Sequence, residues 1–303
     1  MMKYTVERKT RLQRKIDRKD APIEIIKPAT LSRYAAAVCL FFQYMTMFAI
    51  PMPTSGYSLD SVVTKWVLYM YQEGEPAGTT GDGLSGLQHF LPSVRRSLNG
   101  SWRVFKAWRA HELPAQAPPF PELICDALVG LALQVGLLGL AAAIAVGYHC
   151  CLRSGEIFAL LCEHVICDEK AGAVVLPKTK KGIRDCVSIE CSRVAALCFR
   201  RVVRLQPGES FMGLTPQKAR SVLKELLHVL NLQRFEFRWY SIRRGGATSQ
   251  FRAHGQMEKI LVRGRWESSR TARLYLTDGV AAMTSVQLSD EERTACSALA
   301  KLW

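Results

Sequence analysis

Acidic side chains are scarce in this 303-residue sequence: 26 Asp+Glu stand against 41 Lys+Arg, a formal charge of +15. Such an excess points to a polyanionic partner, either nucleic acid or an anionic membrane surface, and charge alone does not choose between them. A secretory-type apolar stretch is missing from residues 1–20, so the cysteines read as reduced, mostly buried thiols of an intracellular protein. Tight C-x2-C pairs are missing as well. Cys162/Cys167 and Cys186/Cys191 are C-x4-C pairs, with His164 inside the first. That spacing is not the zinc-module type, and these residues read as strand-edge cysteines. No long hydrophobic run is uninterrupted. Residues 127–146 contain one strongly polar residue, Gln134, and match a membrane span in length, but Gly130, Gly136 and Gly139 break the run. A break near Gly136 gives two buried core helices, and no membrane partner is expected. There is also no internal repeat.

What is present divides the chain. Residues 1–20 form a basic arm with eight Lys/Arg side chains, either a solvated segment or a DNA-contacting or nuclear-address segment. Residues 21–113 read as a small helical domain. Tyr34, Val38, Phe41, Phe42 and Met45 recur at helical steps with Thr30 as N-cap, and a second helix covers residues 58–72. A Gly-rich turn is expected at 78–83, followed by short helices at 84–91 and 101–111. Four prolines between 114 and 121 mark a linker. Residues 122–303 form the second domain, in which 173–176 and 185–189 flank a Lys-rich turn as strand, turn, strand. No strand pattern precedes about residue 170. The fold class is mainly α with a small β-sheet (α+β).

The second domain carries the chemistry. Arg153 follows the apolar helices and precedes Glu156, which can brace the helix or orient the arginine. A guanidinium there offers a planar, permanently charged fork to a phosphate, or else makes a surface ion pair. Lys178, Lys180 and Lys181 sit in the turn, where one mobile lysine can protonate a departing alkoxide. Tyr240 and Arg243 lead into Gly245-Gly246-Ala247, a step that permits close packing. Two arginines on one phosphate neutralise the charge of a pentacoordinate transition state. The indole N–H of Trp266 either donates to a phosphate oxygen or packs in the core. Tyr275 follows Arg270 and Arg273. A phenol ionises near pH 10, so it needs positive surroundings to become a nucleophile.

Taken in order, Arg153, Lys178, Arg243, Trp266 and Tyr275 resemble the set of the tyrosine recombinase (phage integrase) family. That set is an arginine in an L-R-x-x-E context, a hairpin lysine, an H-x-x-R box, a G-H or G-W element, and a tyrosine about nine residues later. The likeness covers roughly residues 25–285. The R-R-G-G-A and R-G-R-W wording is similar to that of recombinases carried by eukaryotic mobile elements. Tyr240 stands where the family usually has His, and none of the six histidines lies in a motif. A phenol is a poorer proton acceptor than imidazole near neutral pH, so the general base is left open.

The resemblance implies a helical core-binding domain and an integrase-like catalytic domain that clamp double-stranded DNA. Arg153, Arg243, Trp266 and Tyr240 bind the scissile phosphate, and Tyr275 attacks it. Lys178 (or Lys180 or Lys181) protonates the 5′ oxygen, and a 3′-phosphotyrosyl link forms. A 5′ hydroxyl from a partner duplex reverses the step without ATP, metal or other cofactor. The resemblance also implies a homo-oligomer, a tetramer on DNA, with the C-terminal helix over 288–302 docked on a neighbour. Deleting 288–303 is then expected to abolish assembly on DNA while leaving the fold intact. The compartment would be the nucleus in a eukaryote and otherwise the cytoplasm. The alternatives are a type IB topoisomerase-like enzyme and an inactive DNA-binding relative.

Overall fold

Apolar side chains at three- and four-residue steps build two separate cores, and the chain accordingly divides into two compact units, 1–115 and 116–303. The structure, a computed structural model, describes residues 26–112, 116–176 and 185–303.

In the first unit, α1 (Pro28–Met47), α2 (Gly56–Gln72), α3 (Ala77–Phe90) and α4 (Asn99–His111) enclose Phe41, Trp66, Leu84, Leu87 and Phe105. Two expectations are corrected here. The N-cap of α1 is Lys27, and Pro28 opens the helix, so Thr30 already lies within the first turn. Residues 78–83 form no turn but belong to α3. Their glycines serve helix packing. A Cβ on Gly83 would stand 2.4 Å from the Trp66 ring, and one on Gly81 would stand 2.8 Å from Phe105. The helix tolerates weak helix formers because their missing side chains make room for aromatic ones. Asp60 of α2 fastens α4 by accepting the Gly100 and Ser101 N–H groups at 2.8 and 2.9 Å. A carboxylate at a helix N-terminus both satisfies orphan donors and opposes the positive end of the dipole.

In the second unit, α5 (Glu122–Gln134) and α6 (Leu138–His149) are separated at Gly136, whose φ of 77° turns the chain. The apolar run is therefore two buried helices. Among the described residues, no helix is long and apolar enough to cross a membrane. The short α7 (Ser154–Phe158) leads to an antiparallel sheet of β1 (Val165–Cys167), β2 (Gly172–Leu176) and β3 (Asp185–Ile189), in that order. Val174 pairs with both Val165 and Val187. The expectation of no strand before about 170 missed β1, which is too short to show alternation. The remaining elements are α8 (Ser192–Val202), α9 (Pro216–Val229), α10 (Trp239–His254), α11 (Met257–Gly264), α12 (Ser269–Arg273), α13 (Asp278–Val286) and α14 (Asp290–Ala300). The chain is mainly helical with one small sheet, as expected.

Helix α14 packs within its own unit, against α5. A Cβ on Gly130 would stand 2.0 Å from the Leu299 carbonyl oxygen, so the backbones meet there. Cys296 is fully buried, and the Trp303 indole donates to the Asp126 carbonyl at 3.0 Å. Glu292 accepts both terminal nitrogens of Arg234, at 2.5 and 2.6 Å. Removing 288–303 would strip this face from the core, where the sequence reading expected the fold to stay intact.

Gly130→Ala is expected to lower stability by ~1–3 kcal/mol in urea denaturation, since a methyl there has no room. Gly279→Ala, whose Cβ meets nothing within 4 Å, is the matched substitution that should leave stability unchanged or raised. The Arg234 fork holds the Glu292 carboxyl down at about 2. A depressed folded-state value contributes stability that is complete above the unfolded-state value and is lost as pH falls through the folded one. Glu292→Gln should therefore flatten the loss of stability between pH ~5 and ~2 in acid titrations of melting temperature.

Candidate active site

The site is built around the start of α10. Ser241 accepts the Arg238 N–H at 3.0 Å and begins the helix. Tyr240 and Arg243–Arg244 lie three and four residues apart and so share a face. Next to this face the helix carries two residues without side chains, Gly245 and Gly246. A Cβ would stand 2.3 Å from the Phe120 carbonyl oxygen at Gly245 and 1.9 Å from that of Tyr148 at Gly246. This close approach draws α10 against α6 and carries Arg243 into the interior, where it is fully buried.

Among the described residues, the Arg243 guanidinium has no carboxylate partner. One terminal nitrogen donates to the Cys151 carbonyl and the other to the Gly264 carbonyl, the latter at 2.6 Å. Both acceptors lie where a helix stops through a left-handed residue. Cys151 (φ 48°) follows α6, and Arg265 (φ 55°) follows Gly264 at the end of α11. The negative ends of two helix dipoles thus face one buried cation. Burial, with Arg153 and Arg265 nearby, pulls the guanidinium down to about 10, so it stays charged at neutral pH. The Arg243 Cζ lies 4.5 Å from the Trp266 ring centroid and 5.1 Å from that of Tyr275. The sequence reading made Arg243 either the second guanidinium on a phosphate or a surface charge pair. It is no surface charge: much of its donor capacity goes to backbone, and two aromatic rings cover it.

Arg153 is the N-cap of α7 and half-exposed. Its backbone N–H and its Nη1 both donate to the Glu156 carboxylate, each at 2.7 Å. Glu156 also accepts from Arg265 Nη2 at 2.6 Å. Arg244, nearly fully buried, donates to Gln116 Oε1 at 2.5 Å and Thr277 Oγ1 at 3.3 Å.

Tyr275 follows α12 and is half-buried, with its ring 4.7 Å from Trp266 and 5.6 Å from Tyr240, centroid to centroid. Burial by itself raises this phenol. The neighbouring Tyr240 and the charges of Arg243 and Arg153 outweigh that, and Tyr275 lies below the ordinary phenol value. Tyr240 moves the other way. Burial, together with Tyr275, pushes it up to about 12, so at neutral pH it keeps its proton and acts as a donor beside Tyr275.

Arg153, Arg243, Trp266, Tyr240 and Tyr275 therefore converge. Lys178, Lys180 and Lys181 lie outside the described residues. Trp266 is buried in a small apolar cluster with Cys151, Ala247, Ile260 and Ala272, so it does pack in a core. Its indole N–H lies by Tyr275 and helps lower that phenol, but among the described residues neither it nor the Nε–H groups of Arg243, Arg244 and Arg265 make a well-formed hydrogen bond. Buried donors without acceptors are costly and rare, and here four share one neighbourhood. Glu156 links Arg153 and Arg265, Asp185 lies 3.9 Å from the Arg265 Nε, and Arg243 and Arg244 add two further guanidinium groups. The balance is a cationic centre suited to an anion, with an acidified phenol at its edge. A cavity of about 720 Å³ beside Tyr240, lined by Arg220, Lys224 and Arg238, extends the basic surface. Among the described residues, no group of three His, Cys, Asp or Glu side chains could hold a metal ion. Sequence reasoning missed Arg265. It lies inside the R-G-R-W element, but nothing local announces its left-handed backbone or its carboxylate partner.

Comparison with solved structures gives this arrangement its setting. The chain is similar to the Tn1549 transposon integrase in complex with transposon right end DNA, at 13% identity and a TM-score of 0.61, over 91% of this chain and 98% of that one. It is similar to the XerH site-specific recombinase bound to its difH substrate, at 12% identity and a TM-score of 0.54, over 85% and 79%. A lambda integrase dimer bound to a core site matches at 12% identity and a TM-score of 0.50, over 88% and 85%. No family model matches the chain, and no curated protein does. The fold is that of the tyrosine recombinases, as the motif set led us to expect.

Tyr275→Phe is expected to remove the most acidic part of the phenolate absorbance change in an alkaline titration. Tyr240→Phe should shift that part to higher pH without removing it, because Tyr240 favours ionisation of its neighbour.

Proposed function

We propose that this chain cleaves and rejoins DNA strands through a 3′-phosphotyrosyl intermediate, as a recombinase of double-stranded DNA. The observation that carries the reading is the acidified phenol of Tyr275 beside the buried charge of Arg243 and the half-exposed charge of Arg153. A phenol becomes a nucleophile only in such a field, and the same cations would stabilise the added negative charge of a phosphoryl transition state.

In the proposed reaction a scissile phosphate is held first by Arg153, the accessible guanidinium. The Tyr275 ring moves off Arg243 as the phosphate enters, bringing the second guanidinium and the indole N–H of Trp266 to its oxygens. The Tyr275 oxygen forms a bond to phosphorus while the bond to the 5′ oxygen breaks. The phenolic proton leaves to solvent, and Lys178 of the hairpin protonates the 5′ oxygen. Tyr240 donates to the Tyr275 oxygen and is not the base. Attack of a 5′ hydroxyl on the phosphotyrosine returns the tyrosine and seals the strand. Bond energy is conserved, so ATP is not consumed. Exchange between two duplexes needs several protomers, and we propose a tetramer on DNA.

The test is covalent trapping on duplexes with randomised sequence around a nick, so that the freed 5′ fragment is lost and the reverse step fails. Wild type should yield a protein–DNA adduct that survives denaturation and is insensitive to chelators. Tyr275→Phe should yield none, and Arg153→Ala or Arg243→Ala should slow formation by ~100–1,000-fold. An adduct that persists in Tyr275→Phe would overturn the assignment. Duplex binding with no adduct from wild type would leave the inactive DNA-binding reading. Plasmid relaxation without exchange products would favour the topoisomerase-like one.

A further inference from the structure

Arg265 ends α11 with φ 55° and ψ 46°, a conformation that a residue with a Cβ adopts at a cost and that helix ends usually give to glycine. A strained position of this kind persists where something else holds it. What holds it here is the side chain, which is only 7% exposed. Its Nη2 donates to Glu156 Oε2 at 2.6 Å, and its Nη1 reaches the Arg263 and Cys150 carbonyls at 3.3 and 3.5 Å. Its Nε lies 3.9 Å from Asp185 Oδ2, at the first residue of β3.

Glu156 is the shared member. The carboxylate oxygen that binds Arg265 also accepts the Arg153 backbone N–H, and its other oxygen accepts Arg153 Nη1. Arg153 is half-exposed at the N-cap of a five-residue helix, and among the described residues Glu156 is the ion-pair partner of its guanidinium. The chain of contacts runs from a buried guanidinium, through one carboxylate, to an accessible guanidinium. A second arm runs towards the base of the β2–β3 hairpin through Asp185.

We propose that Arg265 is a positioning residue. Through Glu156 it fixes the direction of the Arg153 guanidinium, and through Asp185 it sets the hairpin base against the same centre. The proposal rests on the strand-cleavage reading for its effect on rate, but the geometry it asserts is independent of that reading. It explains why a residue penalised in the left-handed region stands where glycine would be relaxed: glycine has no guanidinium to link two elements.

Arg265→Gly separates backbone from side chain, because glycine accepts the left-handed turn. Arg265→Asn, which also tolerates that region, is the second variant. Both should keep duplex binding in gel-shift assays, and Arg265→Gly should melt no more than slightly below wild type. Adduct formation at saturating DNA should fall by ~100-fold, the scale of a misplaced reacting group, with half-saturation unchanged. In a Glu156→Gln background, Arg265→Gly should cause a smaller loss than in wild type, since the link to Arg153 is already broken and only the Asp185 arm remains. The independent measurement is the side-chain Nε–H resonance of Arg153, assigned by its disappearance in Arg153→Ala. It should be that of an ordered group in wild type and broaden or average in Arg265→Gly. A wild-type rate in both variants, losses that add fully to Glu156→Gln, or an unchanged Arg153 resonance would overturn the proposal. Absence of adduct from wild type sinks the cleavage reading alone, and the resonance still decides the positioning role.

Discussion

A guanidinium buried without a carboxylate organises the second unit. Arg243 stays charged in the interior because two helix ends, those of α6 and α11, turn backbone carbonyls towards it. Each of those helices must stop at the right residue, and each does so through a left-handed step, at Cys151 and Arg265. The close approach of α10 at Gly245 and Gly246 is what brings Arg243 within reach of both. Change any of the three and a buried charge loses its acceptors, the situation in which desolvation is most costly.

The same constraint sets the chemistry at the rim. A cation with its acceptors fixed behind it projects its field forward, onto the rings of Trp266 and Tyr275. Against the burial that raises it, Tyr240 and that field lower the phenol of Tyr275, while burial, with Tyr275 beside it, raises Tyr240. Two adjacent phenols cannot both ionise readily, so the pair divides into one acid and one donor. The family's usual histidine can accept a proton. A phenol held near 12 cannot at neutral pH, and its contribution is to bond the oxygen that has lost one.

Much of the fold class was legible because helical periodicity in the first unit is plain and residues 173–176 and 185–189 flank a Lys-rich turn. Glycine was the main source of error. In α3, the glycines at 78–83 signal a turn by composition, yet they make room for Trp66 and Phe105, a tertiary reason that no local window contains. Gly136 is the converse, a glycine whose positive φ does break the run. At the site, the residue types and their order pointed to convergence, because 90 residues of separation between two arginines mean nothing unless the fold closes them. What could not be read was burial. Arg243 read as a phosphate ligand or a surface charge, and only the fold shows that backbone carbonyls take its terminal nitrogens. Arg265 was invisible for the same reason, since its role lies in a dihedral angle and a distant carboxylate.

The balance of charge then bears on when the proposed nucleophile loses its proton. In the free chain, the Tyr275 phenol is lowered partly by Arg243 and Arg153. A bound phosphate is an anion placed against those same cations, and it weakens the field that the phenol feels. The acidity available before binding is therefore partly withdrawn once substrate sits in place. It returns as the oxygen transfers its charge to the phosphoryl group, where the guanidinium groups now make direct bonds. On this reasoning, proton loss and attack are coupled in the proposed reaction. A donor at position 240 then suits the site better than a strong base, because the charge to be stabilised develops on the reacting oxygens during the step.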